Sequence, residues 1–239
     1  MNTALIGYGK MGREIEKLLM ARGHSVVLII DENNRAELNP ANLRDKGVDV
    51  AIEFTTPHTA FGNIMACLEA GVAVVCGTTG WLEHYDEVTA ECKRLKGAFF
   101  YASNYSIGVN IFFRLNEALA RMMDAFPEYD VDMEEIHHIH KKDAPSGTAI
   151  TLAEGVAANV GRKTGWTMDE PEADEIFIAA GRCGEVPGTH IVEWQSEADS
   201  ITITHEAKNR HGLAQGAVLA AEWLNGREGV FSMSDMLKF

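Results

Sequence analysis

Hydrophobic positions in the first hundred residues alternate between short continuous runs and runs with helical spacing. The continuous runs predict strands at Asn2–Ile6, Ser25–Ile30, Val48–Phe54, Val72–Val75 and Ala98–Tyr101. Helical spacing lies between them, at Ile15-Leu18-Leu19, over Ala60–Ala70 with Gly71 as its cap, and over Glu83–Leu95. Strands that are apolar on both faces and alternate with helices indicate a parallel sheet covered by helices.

The pattern changes near Tyr105, after which a long apolar helix is predicted over Ile107–Met123. A strand at Asp130–His138 and a helix at Thr148–Ala158 follow. Three further strands succeed one another without intervening helices, at Glu175–Cys183, His190–Ser196 and Ser200–Glu206. This succession predicts an antiparallel or mixed sheet and therefore a second domain. Helical spacing returns over Gly212–Leu224.

A glycine-rich turn joins the first predicted strand to the first predicted helix. The run Gly7-Tyr8-Gly9-Lys10-Met11-Gly12 has G-x-G-x-x-G spacing. In that spacing the first glycine permits a tight turn, the second admits a pyrophosphate, and the third lets helix and strand pack closely. Asp31 ends the second strand about 20 residues later, where a carboxylate would bind a ribose hydroxyl. A dinucleotide is therefore predicted, and a glycine-rich turn in an ordinary α/β sheet is the alternative.

The residues around Asp31 bear on the choice between NADH and NADPH. Asp31 is followed by Glu32, which favours NADH because a carboxylate repels a 2′-phosphate. Lys10 and Arg35 are close enough in sequence to supply a cation, so the predicted preference for NADH is modest.

Two later loops follow the fourth and fifth strands, at the edge where open α/β sheets bind ligands. They are Gly77-Thr78-Thr79 and Ala102-Ser103-Asn104-Tyr105. Their hydroxyl and amide groups suit a nicotinamide carboxamide, and ordinary turns would explain them equally well.

The densest basic segment of the chain is His137-His138-Ile139-His140-Lys141-Lys142, which runs into Asp143-Ala144-Pro145-Ser146-Gly147-Thr148-Ala149. Pro145 disfavours helix immediately before it. Ser146 is a favourable N-cap for the helix that follows.

The start of that helix is a predicted anion site. Helix N-termini attract negative charge, and this one adds the hydroxyls of Ser146 and Thr148 to the N–H of Gly147. With Lys141 and His138 nearby, two carboxylates of one small ligand could be held. A histidine can also deliver the proton that a reduction needs beside a hydride.

Other interpretations of the basic segment remain open. His-x-His on a strand could bind zinc, although the sequence shows no clear third or fourth ligand. The segment could instead be a solvated basic face. Ser146 as a nucleophile is disfavoured because no G-x-S-x-G elbow surrounds it.

Composition narrows the function further. The chain has 239 residues, 46% of them hydrophobic, which suits one large or two modest domains. A formal net charge of −14 argues against a nucleic-acid partner, because phosphate binding needs a concentrated basic surface. The N-terminus lacks a signal-peptide pattern and no apolar run approaches the roughly 20 residues of a membrane span, so a cytoplasmic location is expected.

The four cysteines are not arranged as a metal or disulfide framework. Cys67, Cys76, Cys92 and Cys183 contain no C-x-x-C pair, and we expect all four to be small buried hydrophobic residues. No metal site is predicted.

The basic segment is part of a longer motif, Glu135-x-His137-x-x-x-Lys141-x-Asp143-x-Pro145-Ser146-Gly147-Thr148-Ala149. This motif resembles the signature of the 4-hydroxy-tetrahydrodipicolinate reductase family, formerly called dihydrodipicolinate reductase. Further segments similar to the family are the glycine turn, Gly77-Thr78-Thr79-Gly80, Asn104-Tyr105-Ser106-x-Gly108-Val109-Asn110, Arg182-x-Gly184-Glu185-x-Pro187-Gly188-Thr189-His190 and Ile203-Thr204-His205. Asp132 and Met133 depart from the family pattern, at positions remote from the predicted chemistry.

The resemblance implies reduction of a cyclic dicarboxylate by NADH or NADPH, with loss of water, in the diaminopimelate route to lysine. It implies that His137 donates the proton and that Lys141 is its catalytic partner. It assigns the substrate carboxylates to His138, Lys141, Ser146, Gly147 and Thr148. It assigns the cofactor to Gly7, Tyr8, Gly9, Lys10, Met11, Gly12, Asp31, Gly77, Thr78, Thr79, Ala102, Ser103, Asn104 and Tyr105.

The resemblance also implies an architecture. A Rossmann-type domain with a parallel sheet would span 1–105 and be completed by 209–239, and an α+β domain with a mixed sheet would span 106–208. The second domain would bind substrate and associate into a homotetramer. Asp31-Glu32 and Thr56 lack the arginines that some relatives present to a 2′-phosphate, which places a strong NADPH preference in doubt.

Two other functions compete with this one. Another two-domain NAD(P)-dependent oxidoreductase is the nearest, and a semialdehyde dehydrogenase would need a catalytic cysteine in a suitable loop. A dinucleotide-sensing regulator would need a basic DNA-binding module, which the sequence does not present.

Overall fold

The structure, a computed structural model, describes residues 1–238, which form two compact units. Unit 1 comprises Met1–Ser106 together with the chain from His211 onward, and unit 2 comprises Ile107–Arg210. Each unit has its own β-sheet and its own hydrophobic core.

The elements are numbered in chain order. The strands are β1 (Asn2–Ile6), β2 (Ser25–Ile30), β3 (Val50–Glu53), β4 (Ala73–Cys76), β5 (Ala98–Tyr101), β6 (Asp130–His137), β7 (Gly165–Thr167), β8 (Glu175–Arg182), β9 (Thr189–Gln195), β10 (Ser200–Glu206) and β11 (Gly229–Phe231). The helices are α1 (Lys10–Ala21), α2 (Pro40–Asp45), α3 (Pro57–Ala70), α4 (Tyr85–Leu95), α5 (Ile107–Met123), α6 (Gly147–Ala157), α7 (His211–Leu224) and α8 (Met233–Leu237). None of the helices within residues 1–238 has the length and apolar character to cross a membrane.

Unit 1 contains a six-stranded parallel sheet in the order β11-β5-β4-β3-β1-β2. Its central strands are buried on both faces, and Val50 and Val74 are fully inaccessible to solvent. Helix α7 passes very close to the loop after β5: a Cβ on Gly216 would lie 1.8 Å from the carbonyl oxygen of Tyr105. The parallel, helix-covered sheet expected from the continuous apolar runs is confirmed.

Unit 2 contains a five-stranded sheet in the order β10-β9-β6-β8-β7. Strand β6 is parallel to β8 and antiparallel to β9, so the sheet is mixed. Helices α5 and α6 pack together, and the core beside them includes alternate residues of the strands: Val131, Met133, Ile176, Ile178, Val192 and Trp194. The change of pattern near Tyr105 therefore marks a real change of architecture.

Several predicted bounds were wrong by a few residues, and two short α-helices and two short strands were missed. The third strand starts at Val50 because the N–H of Val48 bonds Leu43 O at the end of α2, and a 3-10 turn at Leu82–His84 precedes α4. The missed elements are α2, β7, β11 and α8. All four are three to six residues long, which is too short for a hydrophobic period to be visible.

The expectation for the cysteines was correct at three positions and wrong at the fourth. Cys67, Cys76 and Cys92 are buried, whereas Cys183 is exposed. Cys183 comes immediately after the last residue of β8, where the chain leaves the sheet and turns at Gly184.

Candidate active site

The glycine turn after β1 has the geometry that its spacing predicts. Gly7 has φ +96°, and a Cβ there would lie 2.0 Å from Phe54 O. A Cβ on Gly12 would lie 2.3 Å from the carbonyl oxygen of Gly7, whereas one on Gly9 would meet nothing within 4 Å. Gly7 and Gly12 are thus required by close packing, and the open side of Gly9 leaves space for a ligand to approach the backbone.

A cavity of about 570 Å³ extends from this turn to the end of β2. Its walls include Tyr8, Asp31 and Glu32, as well as two exposed arginines, Arg13 and Arg35. One carboxylate oxygen of Asp31 accepts the N–H of Asn33 at 2.7 Å, which fixes the side chain at the strand end. The cavity therefore presents both carboxylates and guanidinium groups where the ribose of a dinucleotide would lie.

A second cavity of about 370 Å³ shares Gly9 with the first and continues across the sheet edge. The predicted cofactor residues that line it are Lys10, Met11, Gly12, Gly77, Thr78 and Thr79. Thr78 is buried, and its hydroxyl oxygen accepts the N–H of Thr55 at 2.7 Å. This bond joins the loops after β3 and β4, which line one elongated cleft together with the loop after β1.

The loop after β5 has a different environment from the loop after β4. Ala102, Ser103, Asn104 and Tyr105 line neither of the two cavities described for residues 1–238. Tyr105 is buried, and its hydroxyl donates to Cys76 O at 2.7 Å. That hydroxyl therefore bonds within the protein interior. Burial also raises the pKa of Tyr105 well above its ordinary value.

In unit 2, ionisable residues continue the core-facing row of β6. Val131, Met133, Glu135 and His137 alternate along the strand and are all buried, so the row changes from apolar to polar towards its carboxyl end. Strand register then brings partners from both sides. Glu135 is opposite His190 of β9, and His137 is opposite Arg182 of β8.

Glu135 lies at the centre of this buried cluster. Its carboxylate is completely inaccessible to solvent, and Oε2 accepts the backbone N–H of Ser146 at 2.9 Å. The same oxygen lies 3.6 Å from Nδ1 of His137 and 3.8 Å from Nε2 of His190. Arg182 approaches the other oxygen at 3.5 Å. A buried carboxylate needs such partners, because desolvation of an isolated charge is costly.

The surroundings of His137 act on its protonation in opposite directions. Burial lowers the pKa of His137, Glu135 opposes that change, and the cations of Lys141 and Arg182 lower the pKa further. Its Nε2 lies beside Gly188, where an added Cβ would come within 3.0 Å. The ring is therefore held between Glu135 on one side and the glycine backbone on the other.

The loop between β6 and α6 places Lys141 near this ring. Lys141 Nζ donates to Asp143 Oδ2 at 2.6 Å, which lowers the pKa of Asp143. Arg182 donates to the carbonyl oxygen of Asp143 at 2.7 Å and so anchors the loop. His138 lies beside His140 with ring centroids 6.0 Å apart.

Ser146 is the N-cap of α6, as predicted. Its hydroxyl oxygen accepts the N–H of Ala149 at 3.2 Å and lies 3.1 Å from Nε2 of His190. Gly147 is exposed, and Thr148 is in the first turn of the helix. The helix start thus offers backbone N–H groups and hydroxyl groups to an anion.

Glu135, His137 and His190 also form a possible metal-ligand set, with ligand atoms within 4.8 Å of one another. This set is not the His-x-His pair that the sequence offered for zinc, because neither His138 nor His140 belongs to it. However, the carboxylate already accepts Ser146 N–H and faces the guanidinium of Arg182, and both would compete with a cation.

Sequence reasoning missed His190 and Arg182 as members of this site. It also did not identify Glu135 as the centre of the buried cluster. Glu135, Arg182 and His190 were all present in family-like segments, but their contacts with one another depend on pairing between strands about 50 residues apart. Alternation along β6 was the one local signal, since it places Glu135 on the same face as His137.

Comparisons with known proteins cover the whole chain. The sequence matches the families described as dihydrodipicolinate reductase, N-terminus, over residues 1–105 and dihydrodipicolinate reductase, C-terminus, over residues 108–237. It is 48% identical to the 4-hydroxy-tetrahydrodipicolinate reductase of Christiangramia forsetii, over 99% of this chain and 98% of that protein.

Solved structures give the same result. The fold is similar to a dipicolinate-bound dihydrodipicolinate reductase from Paenisporosarcina, with a TM-score of 0.78 and 26% identity over 98% of each chain. An aspartate semialdehyde dehydrogenase from Vibrio cholerae is more distant, with a TM-score of 0.53 and 12% identity over 93% of this chain and 97% of that one, and shares the fold alone.

Proposed function

The chain belongs to the dihydrodipicolinate reductase family, and from that premise we propose that His137 is the proton donor and Lys141 its catalytic partner. The reaction is the NAD(P)H-dependent reduction of 4-hydroxy-tetrahydrodipicolinate to tetrahydrodipicolinate with loss of water, a step of lysine biosynthesis through diaminopimelate. The pyridine nucleotide supplies the hydride, so the protein has to supply a proton and to hold the substrate.

The observation that carries the proposal is the placement of His137 between a buried carboxylate and a glycine turn. Glu135 lies 3.6 Å from Nδ1, which stabilises the protonated ring, whereas burial and Lys141 disfavour it. The net effect is a lowered pKa of His137, so the protonated ring is a stronger acid than an ordinary imidazolium and gives its proton readily to the substrate. Lys141 contributes a cation at the same place and stabilises negative charge on the substrate.

The substrate carboxylates are proposed to bind His138, Lys141, Ser146, Gly147 and Thr148. The free N–H groups at the start of α6 and the cation of Lys141 support this, because an anion is favoured by both. The Paenisporosarcina reductase was solved with dipicolinate bound, and a small dicarboxylate of that kind fits a helix start flanked by one lysine.

The cofactor is proposed to bind the cleft of unit 1. Gly7–Gly12 would hold the pyrophosphate, Asp31 the ribose, and Gly77–Thr79 the nicotinamide end. Ala102–Tyr105 would border that end through their backbone, since the hydroxyl of Tyr105 is used within the core.

A modest preference for NADH follows from the charges at the adenosine end of the cleft. Asp31 and Glu32 line the cavity and would repel a 2′-phosphate, and Thr56 contributes no charge. Arg13 and Arg35 line the same cavity, so NADPH should still be accepted.

We further propose a homotetramer that assembles through the second sheet and acts in the cytoplasm, where amino-acid biosynthesis takes place. Alternate residues of its strands point away from the core that α5 and α6 cover. They are Asp132, Glu134, Phe177, Ala179, Ile191, Glu193, Thr202 and Thr204. Light scattering at several protein concentrations should give a mass four times that of the chain, and a monomer mass would contradict this assembly.

The function is tested by following oxidation of NADH and NADPH side by side, with substrate generated from pyruvate and aspartate semialdehyde. We expect oxidation of both cofactors and a higher kcat/KM with NADH. Absence of turnover with both would overturn the proposed function, and a higher kcat/KM with NADPH would overturn only the cofactor preference.

A further inference from the structure

His190 is a buried histidine that the proposed mechanism does not use. It lies on β9 opposite Glu135, and its ring is 5.1 Å from that of His137. Burial lowers the pKa of His190 to about 4, so the ring is neutral at physiological pH and does not itself act as a proton donor. Its Nε2 is nevertheless within hydrogen-bonding distance of Ser146, at 3.1 Å.

The environment of His190 favours one of its two neutral forms. Nε2 faces the Ser146 hydroxyl at 3.1 Å and the Glu135 carboxylate at 3.8 Å. The carboxylate can only accept, so a hydrogen on Nε2 is stabilised there and a lone pair would be repelled. Nδ1 has no hydrogen-bond partner among residues 1–238, and a hydrogen on that atom would be an unsatisfied buried donor.

That form of His190 determines what the Ser146 hydroxyl can do. A serine oxygen has two lone pairs and one hydrogen. One lone pair accepts the N–H of Ala149 at 3.2 Å, and the second accepts Nε2–H of His190. The hydroxyl hydrogen is then the only group left, and it must donate to something outside this network.

We infer that His190 is a positioning residue that occupies the second lone pair of Ser146 and thereby turns the serine hydroxyl hydrogen towards a substrate carboxylate. Glu135 completes the arrangement, because it fixes both the backbone N–H of Ser146 and the hydrogen on Nε2 of His190. In the other neutral form of His190, Ser146 would donate to Nε2 and could not donate to the substrate. This inference rests on the proposed role of Ser146 in carboxylate binding.

Calorimetric titration of the full chain with dipicolinate, in saturating NADH, tests the inference without depending on turnover. His190→Phe removes the donor, whereas His190→Gln keeps an N–H group on a side chain of similar length. A hydrogen bond to a charged group is strong enough that its loss should raise Kd about tenfold or more. We expect that loss in His190→Phe, recovery of most of the affinity in His190→Gln, and a change within about twofold in His140→Phe, whose imidazole is exposed.

A second measurement needs no substitution. Nitrogen-15 chemical shifts of the histidine rings in the wild-type protein report which nitrogen carries the hydrogen, and we expect Nε2–H for His190 at pH 7. Hydrogen on Nδ1 would overturn the inference even if His190→Phe failed to fold. Unchanged affinity in folded His190→Phe would also overturn it, and so would equal losses in the Phe and Gln variants, because packing alone would then explain both.

The same experiments separate this inference from the proposed function. Loss of turnover in His137→Gln with unchanged dipicolinate affinity in His190→Phe would contradict only the role of His190. Unchanged turnover in His137→Gln would instead contradict the proposed function on which the inference rests.

Discussion

The buried carboxylate of Glu135 should control the pH at which the enzyme works. In Glu135→Gln the side chain keeps its shape and can still accept the N–H of Ser146, but it loses the negative charge beside His137. At the observed 3.6 Å, two unit charges interact by about 5 kcal/mol at an effective dielectric constant near 20. Arg182, 3.5 Å from the other oxygen, offsets part of this because it repels a protonated ring.

The sign of the effect follows from the role of His137 as an acid. Turnover requires the protonated ring, so kcat falls as the pH rises through the pKa of His137. Glu135 raises that pKa against the effect of burial, and its neutralisation must therefore move the alkaline limb of the kcat profile to lower pH. Charge partners at this distance account for a movement of about one to three pH units, which is a loss of about tenfold or more at a fixed pH above the limb.

The assay is a kcat profile for the wild type, Glu135→Gln and the control Glu154→Gln, whose carboxylate is exposed on α6 of the same unit. Thermal unfolding of each variant shows whether the fold is retained. If the alkaline limb stays in place in folded Glu135→Gln, Glu135 does not raise the pKa of His137 in the working enzyme. An equal movement of the alkaline limb in Glu154→Gln would point to a general effect of protein charge.

Three further substitutions test other parts of the account. Gly7→Ala should lower the melting temperature and weaken NADH binding, because its Cβ would lie 2.0 Å from Phe54 O at a φ of +96°; a variant with normal melting and normal NADH titration would contradict the tight-turn role. Gly188→Ala should lower kcat and leave NADH affinity nearly unchanged, since its Cβ would come within 3.0 Å of His137 Nε2. A normal kcat in steady-state kinetics would show that the imidazole of His137 can move away without loss of function. Asp31→Ala should raise the KM for NADH and narrow the difference between NADH and NADPH, and unchanged values for both would exclude Asp31 from the ribose site.

Most of the Rossmann-type unit could be predicted because its signals are local. The strands β1, β2 and β5 have the predicted bounds. In unit 2 local signals also predicted the bounds of α5 and the N-cap role of Ser146. Short elements such as β11 were missed, because three residues cannot show a period and the strand forms only by pairing with β5.

The candidate site was predicted in part for the same reason. His137, Lys141 and the helix start lie within about a dozen residues of one another, so an anion site beside histidines could be predicted from spacing. The separate roles of His137 and Lys141 came from the family resemblance. The contact of His190 with Ser146 depends on the register between β6 and β9, and no local pattern specifies it. Tyr105 is the opposite case, in which a local signal was incomplete. Its place in a polar loop led to its assignment to the cofactor, whereas its hydroxyl donates to Cys76 O within the core.

The proposed catalysis depends most on His137 and Lys141. Its most direct test measures kcat and NADH affinity for His137→Gln and Lys141→Ala, with Lys142→Ala as the control, since that neighbouring lysine is exposed. We expect kcat to fall by orders of magnitude in the first two variants, while NADH affinity stays nearly intact and the control behaves as the wild type. Unchanged turnover in both His137→Gln and Lys141→Ala would contradict it.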